Sequence, residues 1–98
     1  MDEDTIREHA ANHGKATVAG DFKTAGRDLT PEAVEQAPGV MKAMPTNLND
    51  SSIDSVEKDG DAYVAVIDYS GAGGETTKVA SRWEEREGRP RIVDLKVL

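Results

Sequence analysis

The feature that most constrains this chain is a change of period: helical spacing in the first half gives way to strict alternation in the second. From Ile53 onward, apolar and polar residues alternate in four runs, each closed by a turn signal. A period of two sends successive side chains to opposite faces of a strand, so such runs imply a sheet with one face buried. Asp59-Gly60 separates IDSVEK from DAYVAVIDYS, and Asp-Gly between alternating runs is a strong hairpin signal. SGAGG makes the next loop and Glu87-Gly88 the last. The pattern predicts an antiparallel meander of strands at about 52–58, 61–69, 75–86 and 90–98.

Register follows from the residues, because a slip of one exchanges the two faces. A two-residue loop at Glu87-Gly88 sets Trp83 against Ile92, but Val79 against Lys96 and Arg82 against Val93. A three-residue loop instead gathers Val79, Ser81, Trp83, Val93, Leu95 and Val97 on one face, with Arg82 near Asp94 on the other. The second register is the predicted one. Carried backward, it adds Tyr63, Ala65, Ile67 and Tyr69 to the inner face, then Val56 and Asp54. The outer face keeps Val64, Val66, Ala80 and Ile92, with Ile53 as a further candidate. An apolar strip on the outside of a small domain suggests a subunit interface, so a homodimer through these residues is expected.

The first half reads as helices at about 5–19, 21–27 and 31–43. Asp2, Glu3 and Asp4 supply the negative charge that favours a helix N-terminus. Gly20 stops the first helix and Asp21 caps the second. Thr30-Pro31-Glu32 opens the third, with Pro38-Gly39 interrupting it and Pro45 ending it. Together the two halves make one α+β domain spanning 1–98.

Composition removes several function classes. The chain has no cysteine, which excludes disulfides, thiolate metal sites and cysteine nucleophiles. A net charge of −7 repels phosphate backbones and anionic lipid, so neither nucleic acid nor membrane is an expected partner. No apolar run approaches the roughly 20 residues of a membrane span. The acidic start is unlike a secretory signal, and a cytoplasmic location is expected.

Ala19-Gly20-Asp21-Phe22, the helix start DLTPE, Ser81-Arg82-Trp83, and Gly88 through Leu95 are together similar to the nuclear transport factor 2-like superfamily. The resemblance spans Ile6 to Leu98 and implies a cone-shaped α+β roll of the ketosteroid isomerase and SnoaL-like kind. This chain is shorter than the enzymatic members, which implies a shallow cone. Its first helix has no tyrosine, so no family catalytic residue is carried over. The fold hosts enzymes, binders and assembly modules alike.

Individual residues offer a few sites. His9 and His13 lie four apart on one helix face, the spacing of a metal-ligand pair or of an acid/base group beside a polar neighbour. Ala10 stands where a metalloprotease helix would carry glutamate, so no metal is expected. Asp54, turned inward by the predicted register, is the third catalytic candidate. Asp68, on the outer face, is expected to pair with Lys78. Tyr63, Tyr69, Ser81 and Trp83 share the inner face and would line any ligand pocket. SGAGG lacks the Lys-Ser/Thr end of a phosphate loop and reads as a hairpin loop.

The functional expectation is a small-ligand-binding or stand-alone dimeric module without catalysis and without cofactor. The alternatives are a small isomerase, dehydratase or cyclase acting on an apolar carbonyl compound, and an accessory protein binding a larger partner through the outer sheet face.

Overall fold

The computed structural model describes all 98 residues. The first helix, α1 (Glu3–Val18), begins where Asp2 accepts a hydrogen bond from the Thr5 amide at 2.8 Å. That bond holds the Asp2 carboxyl below its ordinary pKa. Asp21 caps α2 (Phe22–Gly26) in the same way, through the Thr24 amide. The expected third helix is two pieces, α3 (Pro31–Val34) and α4 (Ala37–Lys42). The break falls at Glu35-Gln36, ahead of the proline. Pro38 therefore sits in the first turn of α4, where its missing N–H costs nothing.

Four strands follow: β1 (Leu48–Asp59), β2 (Ala62–Gly71), β3 (Thr76–Arg86) and β4 (Arg89–Val97). They form one antiparallel sheet in the order β1-β2-β3-β4 with the helices packed on one face, as the sequence pattern predicts. The inner face of β2 and β3 also falls as expected, with Tyr63 opposite Trp83, Ala65 opposite Ser81 and Ile67 opposite Val79. Trp83 and Ser81 are fully buried, and the polar atoms are satisfied in place: Trp83 Nε1 donates to Ser81 Oγ, and Ser81 Oγ donates to the Ala65 carbonyl, each at 2.9 Å.

Two bulges correct the predicted register. Glu87 and Gly88 both have positive φ, 57° and 79°, which makes a two-residue turn with Arg86 opposite Arg89. Trp83 then faces Ile92, but Arg82 faces Asp94, so Val93 is an extra residue on β4. Each of the two registers holds on its own side of this bulge. Ile92 is consequently 0% exposed and belongs to the core, not to an outer dimer strip. On β1 Asn49 is extra near the strand start, and the shift that alters the predicted faces is at Asp54, between Ile53 opposite Ile67 and Ser55 opposite Val66. Ile53 turns inward to pack on the core, while Asp54 is exposed and pairs with Lys78 at 3.1 Å. An inward Asp54 is therefore ruled out. Lys78 takes Asp54 as its ion-pair partner although Asp68 is its cross-strand neighbour, and Arg82 pairs with Asp59 and Glu84 although it faces Asp94.

α1 lies close on the sheet. Ile6, Ala10, His13, Gly14 and Thr17 form its buried face. A Cβ at Gly14 would stand 2.8 Å from Ser51 Oγ and 3.3 Å from an Ile67 methyl, so any larger residue would force these side chains to shift.

The free edge of β4 is closed by the chain between α2 and α3. Leu29 bridges Ile92 in parallel, the Ile92 amide donates to the Asp28 carbonyl, and the Thr30 amide donates to the Ile92 carbonyl at 2.9 Å. One turn further on, the Gln36 side chain accepts from the Leu95 amide and donates to Asp94, both at 2.7 Å. A loop and one amide side chain thus stand in for a fifth strand, which blunts an edge otherwise open to pairing.

Candidate functional site

Between the helices and the sheet lies a half-open cavity of about 520 Å³. Its floor is Ile67, Tyr69 and Val79 on the sheet, and its walls include Ala25, Leu29, Ala37 and Val40. Phe22, Val34 and Met41 also line it, and their exposure of 56%, 51% and 37% marks them as its mouth. Large apolar side chains left in water around an apolar hollow are unusual on a domain of this size. The helices end too soon to fill the space: α3 and α4 have 4 and 6 residues, and they rest mainly on β4.

Of the lining side chains, only His13, Thr17 and Tyr69 carry polar atoms. Thr17 Oγ1 donates to the His13 carbonyl at 3.0 Å. Burial pushes the Tyr69 phenol above its ordinary pKa, and a hydrogen bond with Thr17 partly offsets the rise. The Thr17 hydroxyl is thus engaged within the protein.

His13 differs. It is 7% exposed, and its Nδ1 lies 3.0 Å from Asp28 Oδ2. The second Asp28 oxygen accepts from Arg89 at 3.1 Å. Asp28 is held in place by its backbone, whose carbonyl takes the Ile92 amide. Below the imidazole, Trp83 presents a T-shaped contact with ring centroids 6.2 Å apart. The ring is therefore fixed by an acid on one side and an indole on another. Nothing in the protein hydrogen-bonds Nε2.

The structure separates the residues that the sequence grouped. Of Tyr63, Tyr69, Ser81 and Trp83, all on the inner face, only Tyr69 borders the cavity. The other three are core: Tyr63 and Trp83 are buried, and Ser81 is spent on the Trp83 indole. Of His9 and His13, only His13 reaches the cavity. His9 packs tilted on Trp83 at 6.1 Å, and the pair gathers no third metal ligand. Asp54 lies on the opposite side of the sheet, beside Lys78. The residue that sequence reasoning missed is Asp28. DLTPE reads as a helix start, and nothing local signals that its aspartate meets a histidine 15 positions earlier. No family model, curated protein or solved structure matches the chain. No helix is long and apolar enough to cross a membrane.

Proposed function

We propose that the protein binds a small, largely apolar molecule in the cavity between its helices and sheet, within a roll of the nuclear transport factor 2-like kind. The observation that carries this reading is the cavity itself. Its volume of about 520 Å³ falls within the range usual for small-molecule sites, and its wall is apolar with a few polar groups. The element order supports the fold assignment, since capped helices lie on a four-stranded meander closed by the Trp83 hairpin.

A thermal-shift screen against small hydrophobic carbonyl and hydroxyl compounds tests the binding. A ligand at a hundred times its Kd is expected to stabilise the native state by about 2.7 kcal/mol. Ala37→Phe, which narrows the cavity, should lose that response while still unfolding cooperatively. If no compound shifts the wild type, or if Ala37→Phe responds equally, the cavity is not a binding site.

The enzymatic alternative draws on one observation, the His13–Asp28 pair at the cavity wall. Such a pair is the ordinary way of orienting an imidazole for proton transfer. Asp54 has no part in it.

We also propose that two copies associate through the outer sheet face. With Ile92 in the core, the strip rests on Val64, Val66 and Ala80, which are half-buried. Lys78–Asp54 at 3.1 Å and Arg82–Asp59 at 2.7 Å form a charged frame around it. Light scattering at tens of micromolar should give a dimer mass, and Val66→Lys should give a monomer. A monomeric wild type would leave the face to a different protein or to solvent.

A further inference from the structure

We infer that His13 is a specificity-determining residue that selects ligands with a hydrogen-bond donor: held by Asp28 as the Nδ1–H tautomer, it offers Nε2 to the cavity as an acceptor. The inference rests on the binding role of the cavity.

An ionised aspartate can only accept hydrogen bonds, and the Arg89 guanidinium donating to its other oxygen is the partner such a group takes. The nitrogen facing Asp28 must then carry a proton, which in the neutral ring leaves Nε2 with its lone pair. The buried side-chain atoms without a partner are Thr30 Oγ1, Asp68 Oδ1 and Arg91 Nε. Nε2 is not among them, so it keeps an opening despite the burial of the residue, and the open space beside His13 is the cavity.

The charges favour an acceptor over a cationic site. Arg89 already balances Asp28, so an imidazolium would add an uncompensated charge to an apolar wall. The Thr17 hydroxyl donates to the His13 carbonyl and the Tyr69 phenol is itself a donor, so with its Nδ1 proton spent on Asp28 the neutral His13 ring offers, at Nε2, the one side-chain nitrogen of the wall that can only accept. The ligand class follows: a compact hydrocarbon body carrying one O–H or N–H donor, as in a phenol or an enol. A carboxylate of the same size would meet a lone pair.

The test uses 2-naphthol, its methyl ether 2-methoxynaphthalene, and 2-naphthoate, titrated calorimetrically against the wild type and His13→Phe at pH 8. In the wild type, 2-naphthol should bind about tenfold more tightly than the ether, the worth of one hydrogen bond made in an apolar site. In His13→Phe the two should bind equally. Long-range proton–nitrogen correlation spectra of the ligand-free wild type should show His13 protonated at Nδ1, a readout that survives if the variant fails to fold. Equal binding of naphthol and ether to the wild type overturns the role of His13 while leaving the cavity a binding site. Tighter binding of naphthoate, or a proton found on Nε2, overturns it as well. Binding of none of the three overturns both readings.

Discussion

Replacing Trp83 with alanine is expected to cost about 3–5 kcal/mol, the range for emptying a large aromatic site in a core. Domains of this kind have about 5–15 kcal/mol in total, so one substitution removes a large part of the margin. At roughly 4–8 °C per kcal/mol for a chain of this length, the melting midpoint should fall by about 12–40 °C. The loss is large because Trp83 is the largest side chain wholly enclosed in the core. It is fully buried, its indole N–H is satisfied by Ser81, and both helix-one histidines rest on its ring. Trp83→Phe keeps the ring and should retain most of the midpoint. Circular dichroism melts of the three proteins check the order. A shift of only a few degrees in Trp83→Ala would show that the indole does not fill the core as described.

The second large effect separates neighbours in sequence. Ile92→Ala should cost about 2–5 kcal/mol, since the side chain is fully buried, with Leu29 bridged to it on one side and Trp83 opposite on the other. Val93→Ala, at the half-buried extra position of the bulge, should cost under about 1 kcal/mol. Urea unfolding of the two variants gives the comparison directly, because a change in midpoint at constant slope reports stability alone. The reverse ranking would mean that β4 lies in the unbulged register, with Val93 inward and Ile92 outward.

That contrast also shows how far the sequence could be read. Alternation and turn residues were enough for the order of elements and for the inner face of β2 and β3, because there the period of two runs uninterrupted from Tyr63 to Tyr69 and from Val79 to Trp83. They failed at Asp54 and Val93 for one reason. A bulge inserts a residue without changing the local composition, so a pattern test must choose one register for a strand that contains two. At the hairpin, the residues themselves posed the conflict: Trp83 with Ile92 demanded one loop length, and Val79 with Val97 another. Two incompatible registers, each apolar over half the strand, are the signature of a bulge between them.

The site was legible only in part. His13 could be singled out by type and helical phase, but its partner could not, because Asp28 is brought to it by backbone bonds to β4 far along the chain. The cavity had no signal of its own. It arises because α3 and α4 are short and divided, which leaves apolar residues with nothing to cover them.

The closure of β4 by a loop ties two distant parts of the molecule together. Asp28 holds His13 with its side chain and Ile92 with its backbone, so the cavity wall and the sheet edge share one anchor. A strand guarded by another strand opens by unzipping along its length. This one is released at two short clasps, the segment from Asp28 to Thr30 around Ile92 and the Gln36 side chain at Leu95. Opening of the edge at Ile92 and loosening of the imidazole are then one event, and a molecule that fastens His13 from inside the cavity also latches that end of the outermost strand.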